Sequence, residues 1–244
     1  MTGAIWRLTW ALAVRRRRLL VWNLLVPVLL LVPVMTSAAA ASHRAVVVTV
    51  FVMFFGAYGS CIPLIRDGMS GWVEKVWLTG FGGRRWLVER ILASTAVDWV
   101  QLLPVNVLLS LLLGMTFEAG LAILVATMLA LLFANLLGVL VAAFVRALGE
   151  AALGCAVLSL FALHLAGVFR TPAPGSWWAV AEAWSPLRPL HDSWVRALVS
   201  GSAEVPVPWA PEMIPLVAST AMLLLVAVTG DWLAARIAAT GSNA

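Results

Sequence analysis

Charged side chains are scarce in this chain of 244 residues. Asp, Glu, Lys and Arg make up 11% of it, whereas 63% of the residues are hydrophobic. Soluble globular domains carry roughly 25% charged residues. The composition therefore excludes an ordinary soluble protein and indicates an integral membrane protein.

Cysteine and histidine are also rare, with two and three copies. Cys61 and Cys155 both fall inside apolar runs, so no external pair is available for a disulfide, and we expect two inert packing residues. His43, His164 and His191 are far apart and have no cysteine or carboxylate at ligand spacing. We therefore expect no metal site.

The phosphate-binding pattern G-x-x-x-x-G-K-[ST] is missing as well. Lys75 is the only lysine and no such pattern precedes it, and the turn from Gly80 to Gly83 is a weak phosphate cradle by itself. We expect the chain to bind no ATP and to hold no cofactor. Nucleic-acid binding is not indicated either, because it would require a basic face on a soluble fold.

Long apolar runs dominate what is present. A helix needs roughly 20 mostly apolar residues to cross a bilayer, and six runs qualify, at about 19–35, 45–65, 93–114, 120–144, 149–169 and 212–233. The prediction is an all-α integral membrane protein with six transmembrane helices in a single transmembrane domain, residues 1–244. Little remains for a soluble domain of roughly 50 residues or more, so we expect any ATPase on another polypeptide.

Arginine placement predicts the orientation, since basic residues in short loops are retained in the cytoplasm. With the N-terminus inside, 12 of the 16 Lys and Arg residues are cytoplasmic. The other four are Arg44, Arg170, Arg188 and Arg196. We predict a multi-pass protein of the cell membrane with both termini in the cytoplasm, and the net charge of +5 follows from that topology.

Residues 1–18 are predicted to form an interfacial helix, because apolar residues and two tryptophans precede the arginine cluster there. The cluster, the apolar run after it and the small residues 37–41 also resemble a secretory signal with its cleavage site. The run is slightly long for a signal and five more spans follow. We therefore favour the interfacial helix, with cleavage as the alternative.

Residues 66–92 form the only long charged segment between two spans. Within it, residues 71–78 fit a short amphipathic helix, because the apolar residues recur at positions i, i+1, i+4 and i+5. These residues are Trp72, Val73, Val76 and Trp77. We expect this helix to lie flat on the inner leaflet.

The segment from residue 170 to residue 211 is predicted to be an outer loop. It holds five of the 13 tryptophans, a residue type that prefers the headgroup level. We expect two short helices in it, at about 176–184 and 189–200, that lie in the outer interface or re-enter the membrane.

Five polar side chains inside the predicted spans are candidates for a function: Asp98, Gln101 and Asn106 in the third, Asn135 in the fourth and His164 in the fifth. Such residues usually face a bundle interior or a water-filled path, so they are candidates for a substrate path. Structural roles are the alternative. Asp98 could reach the headgroups or pair with Arg90, and the amides could form hydrogen bonds between helices.

Two stretches carry a family resemblance. Residues 66–80, RDGMSGWVEKVWLTG, followed by Trp86 and residues 89–92, resemble the loop between the second and third spans of the ABC-2 type transporter permeases. Ser185, Pro186 and Leu187 resemble the Asn-Pro-Leu segment that the family carries outside before its last span. Serine stands here where asparagine is common.

The resemblance implies a permease subunit that pairs with a second permease and with two cytoplasmic ABC ATP-binding subunits, which hold the ATP. In that family the loop after the second span is the coupling element. The resemblance therefore implies that six residues lie against the ATPase: Gly71, Trp72, Glu74, Lys75, Leu78 and Thr79.

We therefore expect the transmembrane subunit of an ABC exporter, without an ATPase site of its own. The apolar spans favour an amphipathic or lipophilic cargo such as a drug, natural product, lipid or peptide. Import, and either a homodimer or a heterodimer of permeases, are also compatible with the sequence. A non-transporting membrane scaffold or sensor is the alternative function, and an intramembrane enzyme would need a set such as His164 with Asp98.

Overall fold

The computed structural model describes residues 4–170, 173, 175–200 and 213–239, and all regular secondary structure among them is helical. The helices are α1 (Ala4–Arg15), α2 (Arg17–Met35), α3 (Ala41–Met69), α4 (Trp72–Leu78), α5 (Gly83–Leu112), α6 (Phe117–Phe144), α7 (Leu148–Leu165), α8 (Trp177–Trp184), α9 (Arg188–Ser200) and α10 (Met213–Ala238). Six of them, α2, α3, α5, α6, α7 and α10, are long and apolar enough to cross a membrane. The predicted fold class is confirmed.

The connection between the second and third spans is shorter than the predicted loop. α3 continues to Met69 and α5 already begins at Gly83, so only residues 70–82 connect them instead of residues 66–92. The reason is that charged residues extend both helices past the apolar runs. Asp67 of α3 and Arg90 of α5 form an ion pair of 3.2 Å there, which satisfies both charges without a loop.

α6 is the most buried of the six spanning helices and α2 the least. α6 packs against α3, α5, α7, α9 and α10. Its composition explains this position, because it carries no charge between Glu118 and its last residue, Phe144. The core of the molecule therefore lies around α6, and α2 is left largely exposed.

The spanning helices alternate in direction, as contacts between their ends show. Arg84 at the start of α5 bonds to Asp231 near the end of α10, and Arg236 of α10 donates to the Ala143 carbonyl at the end of α6. α1 packs on α5, and α4 packs on α3 and α10, at this same end of the bundle. We call it the α4 end, and the opposite one the α9 end.

α9 packs into the helix bundle. It packs against α3 and α6, and Leu190 and Trp194 are fully buried. Both predicted outer helices exist, and the burial of Trp194 fits the re-entrant form of the prediction for α9. Part of the predicted outer loop lies outside the described residues, including Pro172, Pro174, Pro206, Pro208, Trp209 and Pro211.

Candidate functional site: a docking helix and a buried polar cluster

α4 is set at an angle to α3 by one glycine. Gly71 precedes α4 with φ of 65°, in the left-handed region that glycine adopts without steric penalty. Val73 and Val76 are then buried against α3 and α10. Half of the predicted apolar face, the two valines, thus packs on protein and anchors the helix to the bundle.

The opposite edge of α4 faces away from the bundle. Leu78 is 88% exposed, and Glu74, Lys75 and Thr79 are exposed as well. Neither Glu74 nor Lys75 forms an ion pair with any residue that the structure describes. The edge thus combines an outward apolar side chain with two unpaired charges, a composition that suits a protein partner.

A pocket of about 380 Å³ opens beside α4. It is lined by Trp77, Phe81, three glycines and Asp231. Oδ1 of Asp231 accepts a hydrogen bond of 2.7 Å from the Arg84 backbone N–H, at the N-terminus of α5, where N–H groups have no partner within the helix. Asp231 therefore caps α5 from a different helix.

A second cluster lies within the bundle and joins three spanning helices. Nδ2 of Asn135 on α6 donates to Oδ2 of Asp98 on α5 at 3.1 Å and to the Leu131 carbonyl. Oδ1 of Asn135 accepts from the Ser60 hydroxyl on α3. All three side chains are buried, so the cluster satisfies polar groups that would otherwise be costly in hydrocarbon.

Glycines bring α3 and α6 close enough for this cluster. A methyl group at Gly138 would overlap the Ala57 carbonyl oxygen, and one at Gly56 would lie 2.7 Å from the Ala134 methyl. At Gly59 it would lie 2.9 Å from Oδ2 of Asp98. Small residues of this kind allow close packing of membrane helices.

The other predicted path residues lie apart from the Asp98 cluster. Gln101 accepts a hydrogen bond of 3.0 Å from Asn23 of α2, and Asn106 donates to the Leu102 carbonyl of its own helix. Arg90 pairs with Asp67 and donates to Thr9 of α1 at 2.9 Å. The alternative that Arg90 pairs with Asp98 is therefore wrong, because a closer carboxylate on α3 takes its charge.

His164 lies at the C-terminal end of α7, edge-on to Trp178 with the ring centroids 5.6 Å apart. Arg170 covers the same indole at 4.2 Å. No hydrogen bond joins His164 to Asp98, whose carboxylate faces Asn135 instead. Within the described residues no three His, Cys, Asp or Glu side chains are grouped as metal ligands.

A sequence model of the ABC-2 type transporter family matches residues 2–197, which include α1 to α8, most of α9 and both features described above. The chain belongs to the ABC-2 type transporter family. It is thus a permease subunit of an ABC transporter, a multi-pass membrane protein whose family pairs with an ABC ATPase subunit. No curated protein and no solved structure is significantly similar to it.

The outer motif of this permease forms the entry to α9. The Ser185 hydroxyl accepts a hydrogen bond of 3.3 Å from the Leu187 backbone N–H, and Pro186 and Leu187 are buried. Serine therefore performs the turn-capping task that asparagine could also perform. The motif places the fully buried Leu187 directly before α9.

Ion pairs surround that turn. Arg188 lies 3.3 Å from Glu182 and 3.2 Å from Asp192, and His191 also bonds to Asp192. Burial alone would raise the pKa of Asp192, but the hydrogen bonds from His191 and Arg188 and the guanidinium charge lower it below its usual value. The carboxylate is thereby stabilised in its charged form.

Sequence reasoning missed three residues of the permease that join helices: Asn23, Thr9 and Asp231. Asn23 and Asp231 each stand in or at the end of an apolar run, and polar groups there usually have a function or a partner. That signal could have found them. Nothing in the sequence singles out Thr9, whose bond to Arg90 depends on how α1 packs on α5.

Proposed function

We propose that this permease is the membrane half of an ABC exporter for amphipathic or lipophilic cargo. In this proposal it pairs with a second permease and with two ATPase subunits that bind the ATP. Both termini and the α4 end face the cytoplasm. Closure of the ATPase subunits moves α4, and the bundle of spanning helices follows.

The shape of α4 is the observation that carries the proposal. Two buried valines, Val73 and Val76, bind it to α3 and α10, so a force on α4 reaches two spanning helices. Glu74, Lys75 and Leu78 face away from the bundle on its other edge. This arrangement supports the role of the 71–79 segment as the surface that contacts the ATPase.

Charge distribution supports the orientation. Arg66, Arg84 and Arg85 lie at the α4 end together with the arginine cluster 15–18. Short segments rich in arginine are retained on the cytoplasmic side. We therefore place α4 in the cytoplasm, where ATPase subunits reside.

The hydrogen bonding of the buried polar groups supports the cargo class. Asp98, Asn135 and Gln101 all have partners on neighbouring helices. A path for an ion or a sugar would present such groups to the cargo. Because they serve contacts between helices, we propose that they hold the bundle together and that the cargo meets apolar surface.

The first experiment tests the contact with the ATPase. The permease is co-expressed with its ATPase, and the purified complex is assayed for ATP hydrolysis in lipid nanodiscs. Leu78→Asp and Glu74→Arg should reduce recovery or turnover of the ATPase, because both side chains lie on the proposed contact surface. Both are exposed, so the permease should still fold. Val199→Asp is the matched control, an exposed apolar residue on a short helix at the α9 end.

Two results would contradict the proposal. If no nucleotide-binding partner is recovered, the proposed transport function has no basis. If an ATPase binds but Leu78→Asp does not change its turnover, a scaffold or sensor is favoured. Orientation is tested separately with an impermeant amine reagent on intact cells. Labelling of Lys75, absent in Lys75→Arg, would place α4 outside.

A further inference from the structure

The pocket beside α4 has a chemistry that α4 alone does not explain. We infer that it receives a basic side chain from the ATPase subunit and that arginine fits it best. This inference rests on the proposed contact between α4 and the ATPase, and it adds which kind of residue the partner contributes.

The lining of the pocket matches a guanidinium group. Two aromatic residues, Trp77 and Phe81, line it together with Asp231. Aromatic faces attract cations, and a planar guanidinium can stack on a ring and donate to a carboxylate at the same time. An anionic or purely apolar side chain would leave the carboxylate unpaired.

The charge of Asp231 is not neutralised within the described part of the chain. Its hydrogen-bond donor is the Arg84 backbone N–H, which occupies Oδ1, and no described cationic side chain lies within ion-pair distance of it. The bond to the backbone holds the carboxylate in place at the rim. The second oxygen remains available for a partner's donor.

One arginine side chain beside the pocket, that of Arg85, is already paired. Arg85 lies 4.7 Å from the centre of the Phe81 ring, and its Nε is 3.0 Å from Oε1 of Glu89. Its charge is thus largely balanced, so it opposes a second cation only weakly. The contact also shows that the Phe81 ring accepts a guanidinium.

The backbone of the pocket is open to a partner at two glycines. Methyl groups at Gly80 and Gly82 would meet nothing within 4 Å, so a partner can approach the main chain there. The volume of about 380 Å³ is at the small end of the roughly 300–1,000 Å³ of ligand pockets. It suits one long side chain, whereas a helix would not fit.

Leu78 makes the surface two-sided. It is 88% exposed and lies at the end of α4, next to Trp77 of the pocket. An outward leucine beside a pocket on the same surface allows the ATPase to bind in only one position, in which both features are matched. The ATPase should therefore present an apolar groove and, beside it, a basic residue.

The test measures the affinity of the purified ATPase for the permease in nanodiscs. Asp231→Asn keeps an oxygen for the Arg84 N–H and removes only the charge, so the fold should persist. We expect about tenfold weaker binding, between the effects of exposed and buried ion pairs, and a smaller loss of affinity with added salt. Glu150→Gln is the control, since Glu150 also accepts a backbone N–H, from Arg146.

A photoreactive amino acid at position 81 gives an independent readout. It should crosslink to an ATPase peptide that contains an arginine or lysine, and substitution of that residue by glutamate should be partly rescued by Asp231→Arg. The same probe at position 117, on an exposed residue at the α9 end, should give no ATPase crosslink.

Different outcomes separate this inference from the proposed function. In one outcome the ATPase binds and Leu78→Asp weakens the binding, but Asp231→Asn and Glu150→Gln both bind like the wild type. The pocket then holds no cation, and the inference fails while the proposed function stands. A crosslinked peptide without a basic residue would overturn the inference in the same way. If no ATPase binds at all, the proposed function fails with it.

Discussion

Asn135 of α6 donates a hydrogen bond of 3.1 Å to Asp98 of α5, and both side chains are buried in the bundle. Because the same amide also accepts from Ser60 of α3, one side chain joins three spanning helices. The hydrocarbon core of a bilayer offers no water that could replace these bonds. α3, α5 and α6 should therefore move together when α4 is displaced.

Replacement of Asn135 by leucine tests this connection. Asn135→Leu leaves the Asp98 carboxylate and the Ser60 hydroxyl without their partner, and a buried unpaired polar group costs about 1–3 kcal/mol. We expect a lower midpoint of thermal unfolding in detergent. Asn106→Leu is the matched control, because Asn106 is also buried on a spanning helix but bonds only to its own helix. Equal losses for the two variants would contradict a role in joining helices.

The contact between α3 and α6 predicts a steric effect. Gly138→Ala places a methyl group against the Ala57 carbonyl, and overpacking in a well-packed core costs about 1–3 kcal/mol. The helices must separate, so unfolding should occur at lower temperature. Gly120→Ala on the same helix meets only ordinary contacts, the nearest at 3.5 Å, and should be neutral or slightly stabilising. The prediction fails if both alanines behave alike.

Composition and periodicity were sufficient for the architecture. Six apolar runs became six spanning helices, and the apolar spacing around Val73 and Val76 became α4. Both signals are local, since hydrophobic length and helical period depend only on neighbouring residues. Helix ends were less predictable, because the charged residues near Asp67 and Arg90 continue the helices instead of ending them.

Partners across the bundle could not be predicted. Asp98 and Arg90 are close along the chain, yet Arg90 pairs with Asp67 and Asp98 bonds to Asn135. The choice depends on the register between α3, α5 and α6, which hydropathy does not encode. The same holds for α4, whose valines pack on protein although an identical pattern could lie on lipid.

Acid should weaken the turn before α9. The pKa of Asp192 is lower in the folded protein than its usual value, about 3.9 in an unfolded chain, because the bonds from His191 and Arg188 outweigh the effect of burial. This stabilisation is present above the unfolded pKa and is lost as the pH falls below it toward the lowered folded value. Unfolding measured between about pH 5 and pH 3 should show a flatter pH dependence for Asp192→Asn than for the wild type.

A second variant separates the ion pair from general acid effects. In an Arg188→Gln background, where the guanidinium next to Asp192 is gone, Asp192→Asn should change the pH dependence less than it does in the wild type. An unchanged acid slope in Asp192→Asn alone would show that this carboxylate contributes nothing.

Arg90 should hold α1 against the bundle. Its guanidinium reaches Asp67 of α3 and Thr9 of α1 from α5, and its side chain is only 11% exposed. Arg90→Gln leaves a partly buried carboxylate unpaired and removes the bond to α1, so α1 should detach more often and limited proteolysis should cut residues 4–16 faster. Arg90→Lys should restore little, because an ammonium lacks the planar fork that reaches two partners. Arg66→Gln removes an exposed guanidinium at the α4 end that forms no ion pair with any described residue, and it should leave the cleavage rate near that of the wild type. Equal acceleration in both variants would mean that loss of positive charge at the α4 end, and not the contact with Thr9, controls α1.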